Sequence, residues 1–553
     1  MSQPPSDLAE PWKTRIAWLL MLVGISFSYL YFIPYFATLN NPNENSRVYQ
    51  VRAYVELGKL SVDEQVKQYG WVNDLAKREG KLYAGKAPAT TFIGVPIYAA
   101  LRASDEARGL PTPSWFRVVY TLRLFGVILP CLLFVHLFRG FVRRIVRDAN
   151  VASLLAIVLA LGTMLLPYGL MFVNHSLSAA SAFGTVIAVH AALRAREGTT
   201  KWSRVKSWLC FGLAGFLLAG TTALDYALFP VSVMLLGFVF WRARWSWASV
   251  AGTCLGAAIP SLLTAAYHQA CWGSPFAVSM SFLANPQFAA EANKGVFGII
   301  GPTTASVWGV FGSAKKGLLY FSPVLAPGLL AVVISALTSR YRKESTVTFA
   351  IVLWMLLYNV SLINWAAGWT VGPRYVTVII PFVLFAFALW MREMKPASRH
   401  VTMAIAAGLS ISSVAVTAAT STMFPHLQPD YDNPVFECIW PLWRDGFTPR
   451  SLGRWAASLS GHADQTPFLV VVGLLLIGML VMVGRAWHRG SHAWLRSAAG
   501  VALAATLASA TLWVQSLPVS KDQKLVQRGS HWLRMRAWDP PVAGTRRPKP
   551  PRR

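Results

Sequence analysis

The sequence predicts an all-α integral membrane protein, a bundle of about 13 transmembrane helices with longer loops on one face. Three observations lead to this fold class. Hydrophobic residues make up 54% of the 553 residues, the mean hydropathy is +0.44, and only 13% of the residues are charged. That share of charge is too small to cover the surface of a water-soluble protein of this length. The apolar residues form runs long enough to cross a bilayer, and basic residues gather in alternate loops between the runs.

Apolar runs of about 17–25 residues mark the individual spans. Two longer stretches, 151–194 and 208–241, each hold two helices, with polar breaks at Asn174-His175 and near Asp225. The stretch 89–102 is too short for a span, so an interfacial or re-entrant helix is expected there. The remaining predicted spans are 16–38, 118–138, 247–267, 317–337, 346–364, 375–391, 401–420, 467–484 and 496–514.

Every second loop is rich in Lys and Arg and poor in acidic residues. Because short loops with excess positive charge stay on the cytoplasmic side, we predict a cytoplasmic N-terminus and an outward C-terminus in the inner (plasma) membrane. This alternation accounts for the formal net charge of +28 without nucleic-acid binding. The basic clusters begin at Arg139, Arg194, Arg242, Arg340, Arg392 and Arg485.

The longer loops are predicted to be outward, and they define the expected domain organisation. A catalytic module, 1–395, contains the first outward loop, 39–117, and another outward loop, 268–316. Additional helices follow in 396–514 with the outward loop 421–466, and a basic, Pro- and Arg-rich tail occupies 515–553. Cys271 and Cys438 fall in outward loops on the oxidising side, where a disulfide between them is left open.

Two carboxylates of the first outward loop are the candidate catalytic residues. Glu44 is the first acid after the first span, which places it near head-group depth, and Asp74 lies farther along the loop. Taken alone, Glu44 also fits a solvated loop acid close to Arg47 and Arg52, which are themselves candidate substrate-binding residues.

Further polar residues are expected at the same face. Each has a structural alternative, such as helix capping by Asp225, snorkelling of the lysines or an aromatic belt. Ionisable groups near the membrane boundary are costly unless paired, hydrated or used, so their joint placement favours a function. Cations hold phosphate groups, and a carboxylate removes a proton from an attacking hydroxyl. These candidates are Lys86, His175, Asp225, Tyr226, Lys315, Lys316, Arg374 and Tyr375.

At these residues the chain resembles the GT-C superfamily of membrane glycosyltransferases, which use sugars linked to polyprenyl phosphate. The similar features are the acid after span one, the segment Gly372-Pro373-Arg374-Tyr375, the stretch Lys86 to Thr91, and Phe311 to Pro323. The layout is similar to the aminoarabinose and protein-mannosyl transferase branches. The resemblance implies an inverting transfer outside the cytoplasm that is usually metal-independent, although some relatives use a divalent metal. The acid here is Glu44, where many relatives have Asp.

The resulting hypothesis is a transferase that moves a sugar from a polyprenyl-phosphate carrier to a lipid, glycan or protein. Glu44 would be the base, with Asp74 as the second candidate. Lys86, Arg374 and Lys315 would hold the donor phosphate, and the other polar residues would orient the reactants. The expected partners are the lipid-linked donor and membrane lipids, and the sequence itself requires no cofactor. Two alternatives stay open, a transporter or flippase of a lipid-linked glycan and a non-catalytic assembly subunit.

Overall fold

The computed structural model describes residues 11–36, 41–427, 431–444, 449–452, 465–488 and 492–517. The described part is predominantly helical and contains very little sheet, which confirms the predicted fold class. Most of the predicted tail lies outside the described residues, as do the first ten residues and 37–40. The helices are α1 Trp12–Leu30, α2 Pro42–Leu57, α3 Asp63–Tyr69, α4 Ala89–Glu106, α5 Trp115–Arg123, α6 Leu129–Val146, α7 Ala149–Leu161, α8 Leu165–Gly169, α9 His175–Arg196, α10 Lys201–Leu224, α11 Phe229–Ala243, α12 Trp247–Trp272, α13 Pro286–Ala292, α14 Thr304–Phe311, α15 Leu318–Phe321, α16 Leu325–Thr338, α17 Arg342–Ser361, α18 Ile380–Glu393, α19 Pro396–Met423, α20 Trp440–Arg444, α21 Thr466–Trp487 and α22 Ala493–Ser516.

Shorter elements connect or extend these helices. A π-helical segment, Leu124–Ile128, joins α5 to α6, and another precedes α20 at Val435–Ile439. The strand β1 (Phe32–Ile33) pairs antiparallel with β4 (Arg450–Ser451), and β2 (Leu75–Arg78) pairs antiparallel with β3 (Lys81–Ala84). Three 3₁₀ turns occupy Tyr226–Leu228, Ser279–Phe282 and Arg374–Ile379.

The helices agree with the predicted spans. Among the described residues, eleven helical stretches are long and apolar enough to cross a membrane, and the shorter apolar helices α7 and α16 supply the two remaining predicted spans. The polar breaks also appear where they were predicted, because α9 begins at His175 and α10 ends one residue before Asp225. The first predicted span extended too far, since α1 ends at Leu30 and the chain continues into β1.

Contacts between loops define one end of the bundle, here called the basic end. Arg392 donates to the carbonyl of Ile145 and to the Tyr341 hydroxyl, and Arg399 donates to Asp148 over 2.8 Å. These contacts join three of the Lys- and Arg-rich loops. The loops after α9 and α11 meet through Arg196, which donates to the carbonyl of Ala243 and the hydroxyl of Ser246. The loops predicted to share one side of the membrane therefore do lie together.

The described part of the predicted outward loop, 41–117, is folded and forms part of the opposite end, here called the site end. Helix α2 begins with Pro42 after Asn41, whose side chain accepts the Glu44 N–H, and it ends at Gly58 with a positive φ of 64°. Both features are typical of helix ends. The predicted interfacial stretch at 89–102 is the helix α4, which packs against α2 and α5. This module lies directly on the ends of the spans.

The structure answers whether Cys271 and Cys438 form a disulfide, which the sequence left open. No disulfide joins Cys271 and Cys438 in the part of the chain that the structure describes. Cys271 lies in the last turn of α12 and not in a loop, and its neighbours include Tyr267 and Trp272. The long helix α12 extends past the predicted end of its span at residue 267, and this extension removes Cys271 from the loop.

Candidate active site

The β2–β3 hairpin brings Asp74 and Lys86 together. The hairpin register pairs Leu75 with Ala84, so the residues just outside it also face each other. The carbonyl oxygen of Asp74 accepts the N–H of Gly85, and a Cβ at Gly85 would lie only 2.9 Å from that oxygen. The Lys86 Nζ lies 3.1 Å from Oδ1 of Asp74, with the two side chains 24% and 11% exposed. This carboxylate is therefore partnered and largely buried, with a small part of its side chain still exposed.

A buried arginine links this hairpin to the breaks between spans. Arg47 on α2 is 1% exposed, and its guanidinium donates to Oδ1 of Asn43, the carbonyl of Ala87 and Oδ1 of Asn174 at 2.9–3.1 Å. The amide of Asn174 in turn donates to Oδ2 of Asp225 over 2.8 Å. The two polar breaks that the sequence marked are thus joined through one asparagine.

His175 and Asp225 meet at the far side of this network. Nδ1 of His175 lies 4.0 Å from Oδ2 of Asp225. The imidazole ring also packs edge-on against Tyr168 and Tyr375, with centroid distances of 5.0 and 6.4 Å. Asp225 uses its other oxygen to accept the N–H of Ala227, so the predicted capping role is real as well.

Arg374 enters the site from a tight turn. Gly372 has a φ of 61°, a conformation that glycine adopts without strain, and Pro373 then starts the 3₁₀ turn. The Arg374 guanidinium lies 5.1 Å from the ring centroid of Tyr375 and donates to its hydroxyl. Nε of Arg374 is buried and has no hydrogen-bond partner among the described residues. Arg374 is therefore held by its neighbours, while its Nε–H can still donate a hydrogen bond to a ligand.

Lys316 holds the segment before this turn. Its ammonium donates to the carbonyls of Gly368, Thr370 and Leu427 at 2.5–3.1 Å, and to the Thr370 hydroxyl. These acceptors use all three of its N–H bonds. The prediction that Lys316 binds substrate is therefore replaced by a structural role, which is to fix the chain that leads to Arg374.

The electrostatic balance of the site favours an anion. Asp74 lies within electrostatic range of both Arg47 and Arg374. Burial is the largest influence on Arg47 and lowers its pKa to about 10, although Asp225 and Asp74 oppose the change. Arg47 thus remains a cation at neutral pH. Arg47, Arg374 and Lys86 together carry three positive charges, and Asp74 and Asp225 carry two negative charges. One positive charge of the site is therefore uncompensated.

Glu44 has surroundings that differ from those of Asp74. Its carboxylate is 1% exposed and forms a bidentate pair with Arg123, with both N–O distances 2.6 Å. Oε1 also accepts the N–H of Phe172, and Oε2 accepts the Asn41 amide. Burial opposes ionisation, but the charge and hydrogen bonds of Arg123 outweigh it and hold the pKa of Glu44 below its usual value. Each oxygen already receives two donors, so this geometry favours a structural role for Glu44, whereas the Asp74 side chain is 11% exposed.

Three other predicted residues lie at the margin of the site or apart from it. Lys315 pairs with Asp432 over 3.4 Å at the surface. The Tyr226 hydroxyl is bonded to Nε2 of His268 at 2.7 Å. Arg52 pairs with Glu56 and lines a separate cavity. The predicted residues that the fold gathers are Arg47, Asp74, Lys86, His175, Asp225, Arg374 and Tyr375.

Two residues of this end were absent from the predicted set. Arg123 was counted inside an apolar span, although a lone arginine in such a span is itself a signal of a paired partner. Asn174 is the N-cap residue of α9, but its side chain accepts no capping N–H and instead bridges Arg47 to Asp225. Its place beside His175 in an apolar stretch was the available signal.

Metal ligands do not cluster at this site. Among the described residues there is no group of three or more His, Cys, Asp and Glu side chains placed to hold an ion. Asp74 is paired with Lys86, and Asp225 is engaged by Asn174 and Ala227. Both carboxylates of the site are therefore already engaged by donors of the protein.

No family model and no curated protein sequence matches the chain. Among solved structures, it is similar to ArnT from Cupriavidus metallidurans bound to undecaprenyl phosphate, with 14% identity over 90% of this chain and 76% of that chain and a TM-score of 0.40. It is also similar to ArnT from Cupriavidus metallidurans in the apo state, with 15% identity over 91% of this chain and 76% of that chain and a TM-score of 0.44. The apo oligosaccharyltransferase of Archaeoglobus fulgidus is 12% identical over 96% of this chain and 59% of that chain, with a TM-score of 0.43. With 12–15% identity and TM-scores of 0.40–0.44, these similarities are remote.

Proposed function

We propose that the chain is a membrane glycosyltransferase that moves a sugar from a polyprenyl-phosphate carrier to an acceptor on the non-cytoplasmic side. The observation that carries the proposal is the Asp74–Lys86 pair, held within electrostatic range of Arg47 and Arg374. It lies among the ends of apolar spans. A lipid phosphate presents its charge at that depth, and a partly exposed carboxylate beside cations can serve an attacking hydroxyl.

Asp74, Lys86 and Arg374 have separate roles in the proposed reaction. The carboxylate of Asp74 accepts the proton of the acceptor hydroxyl as its oxygen bonds to the anomeric carbon of the sugar. The bond between that carbon and the phosphate oxygen breaks, and its electron pair leaves with the polyprenyl phosphate. Lys86 and Arg374 stabilise the charge that develops on the phosphate. A single displacement of this kind inverts the anomeric centre.

The supporting network keeps these groups in place. Arg47 is fixed by three acceptors and lies too deep to move toward a ligand, so we assign it the positioning of the Ala87 segment that carries Lys86. Asn174 and Asp225 extend that support to His175 and the Tyr375 ring. Rigid support of this kind keeps reacting groups within bonding distance.

The test is a transfer assay on purified protein with a polyprenyl-phosphate sugar, run beside a donor-binding measurement. We expect Asp74→Asn to lower turnover by about 10²- to 10⁴-fold, the range for loss of a general base, with donor binding retained. Glu64→Gln is the matched control, because Glu64 is a surface carboxylate of the same loop, 53% exposed. Glu44→Gln should reduce the yield of folded protein and leave the turnover of the remainder near normal.

Other results would redirect the proposal. Normal turnover in Asp74→Asn with a dead Glu44→Gln would return the base role to Glu44. If both variants stay active, the carboxylate mechanism is wrong. If the wild-type protein moves lipid-linked sugar across vesicles without transferring it, the chain is a transporter.

A further inference from the structure

A second cavity opens in the first loop module, apart from the Asp74 site. Its volume is about 450 Å³, which falls within the range of small-molecule sites. Residues of α2, α3, α4 and the start of α5 line it, and most of its wall is polar. The residues that matter here are Arg52, Glu56, Gln68, Tyr69, Arg102 and Trp115.

One wall of the cavity is rigid and aromatic. The Arg52 guanidinium lies 5.0 Å from the ring centroid of Tyr69 and 5.9 Å from that of Trp115, and the two ring centroids are 4.8 Å apart. Nε of Arg52 donates to Oε1 of Glu56 over 2.7 Å, and the same oxygen accepts the Tyr98 hydroxyl. The planar groups of this wall are therefore fixed before any ligand arrives, which lowers the entropy cost of binding.

The charges around the cavity are matched in pairs. Arg52 is neutralised by Glu56, and Arg102 by Glu106 at 2.7 Å. The Asp74 site, in contrast, carries an uncompensated cation. A phosphate is therefore drawn to the Asp74 site, whereas this cavity suits a neutral ligand rich in hydroxyl groups. Hydroxyls both donate and accept, so they can bond to arginine, carboxylate and amide at once, and the apolar face of a sugar ring packs on aromatic rings.

The cavity shares helix α2 and the segment from Tyr69 to Asp74 with the proposed reaction centre. Arg52 follows Arg47 by five residues on α2, which is about 7.5 Å along the helix axis at 1.5 Å per residue. Tyr69 precedes Asp74 by the same number of residues, and the Tyr49 hydroxyl donates to the Gly70 carbonyl between them. Five residues also turn the helix by about 140°, at 3.6 residues per turn, so the cavity opens on a different face of α2 from Arg47.

We propose that this cavity binds a neutral sugar of the acceptor. The identification of that sugar with the acceptor rests on the proposed transferase function, but the binding of a neutral sugar does not. The probe is an equimolar mixture of the methyl glycosides of glucose, mannose, galactose and N-acetylglucosamine, added to the purified full-length protein. Saturation-transfer NMR then reports which glycoside protons contact the protein, without any turnover.

The decisive variant is Gln68→Trp, which places a large side chain at an exposed position of the cavity wall. Lys67→Trp is its matched control, because Lys67 directly precedes Gln68 in α3, is 74% exposed and does not line the cavity. We expect at least one glycoside to show saturation in the wild type and in Lys67→Trp, with affinity lowered about tenfold or more in Gln68→Trp. Folding is checked by equal thermal stability of the two variants.

The remaining outcomes overturn the proposal. It is wrong if no glycoside binds the wild type at tens of millimolar, or if Gln68→Trp binds as well as Lys67→Trp. It is also wrong if anionic phosphatidylglycerol vesicles displace the glycosides, since the cavity would then be a lipid head-group site. Glycoside binding that responds to Gln68→Trp in a protein that transfers no sugar would leave the cavity assignment standing and remove the transferase function instead.

Discussion

Burial of the Glu44–Arg123 pair has a cost that its geometry must offset. Both side chains are at most 2% exposed, so each loses its hydration on folding. The bidentate contact, the Phe172 N–H and the carbonyl of Pro34, which accepts from Arg123, supply the compensating bonds. Removing one partner of such a pair leaves a buried charge and costs about 3–5 kcal/mol. At the residue scale, therefore, Glu44 stabilises the junction of α2 with the spans.

His426 gives this junction a pH dependence. It packs edge-on to Phe36 and Phe424 near Glu44 and Arg123, and burial lowers its pKa to about 4 from the usual 6.5, with Glu44 opposing and Arg123 adding to the shift. As pH falls below 6.5 the unfolded chain takes up a proton that the folded chain refuses until about pH 4. The contribution of the neutral His426 to the free energy of unfolding is therefore complete above pH 6.5. It is lost as the pH falls from 6.5 to 4.

We predict that thermal stability in detergent falls as pH is lowered from about 6.5 to 5, and that His426→Phe flattens this slope. Phenylalanine keeps the ring contacts but cannot bind a proton. His488→Phe is the control, because His488 is exposed at the basic end and should leave the slope unchanged. Equal slopes in wild type and His426→Phe would show that another group controls the pH dependence.

Arg374→Lys should weaken donor binding and turnover by about tenfold or more, because an ammonium cannot reproduce a bidentate contact with phosphate. The variant also loses the planar packing on Tyr375. Arg340→Lys makes the same change at an exposed position of the basic end and should have no effect. Donor affinity and turnover are measured together on purified protein. Normal values for Arg374→Lys would remove this arginine from the donor site.

At the scale of elements, short segments between spans position the chemistry. The β2–β3 hairpin sets the Asp74–Lys86 pair, and the carbonyls bound by Lys316 hold the turn before Arg374. The spans beneath them must then be fixed relative to one another. Helices α10 and α12 achieve this through close backbone approach, since a Cβ added at Gly215 or Gly256 would overlap a carbonyl oxygen of the other helix. Small residues permit such contact in membranes.

Gly256→Ala should therefore destabilise the protein by about 1–3 kcal/mol, since the added methyl group would overlap the Gly212 carbonyl and separate α10 from α12. Gly237→Ala is the matched control, because nothing lies within 4 Å of a Cβ at that position on α11. The measurement is thermal unfolding of both variants in the same detergent. A Gly256→Ala protein as stable as Gly237→Ala would mean that the two helices separate without cost.

At the scale of the whole molecule, two chemically different ends are separated by apolar spans. The basic end gathers Lys- and Arg-rich loops that contact one another. Arg242 and His190 also pair there with the buried Glu344, with N–O distances of 2.7 and 3.0 Å. The site end gathers the proposed catalytic residues. Positive loops favour the cytoplasmic side, so the site end is predicted to be outward.

Cysteine labelling with a membrane-impermeant reagent checks this orientation. Thr200→Cys, in an exposed loop of the basic end, should react only when the cytoplasmic side is accessible. Lys67→Cys, exposed in the first loop module, should react from outside intact cells. The wild-type chain provides the blank for native cysteines. Labelling of position 200 from outside would reverse the predicted topology.

The sequence alone predicted the positions of some polar residues correctly but not the partners of others. Asn174 and Asp225 interrupt apolar runs, so they marked breaks between spans that the structure confirms. Arg123 also interrupts an apolar run, but its partner lies 79 positions earlier, and pairing across that separation leaves no local pattern. Glu44 and Lys316 had the right chemical type for a site, yet their roles depend on acceptors and donors supplied by distant loops.

The sequence by itself determined the helical membrane fold, the approximate number of apolar helices and the end of the bundle at which polar residues gather. These features follow from hydropathy, run length and loop charge, which are local properties of the chain. Only the tertiary structure decided that Glu44 is enclosed by Arg123 while Asp74 stays partly exposed beside Lys86. It also decided that Arg52 belongs to a separate cavity. The physical reason is that accessibility and pairing depend on which distant segments the spans bring together.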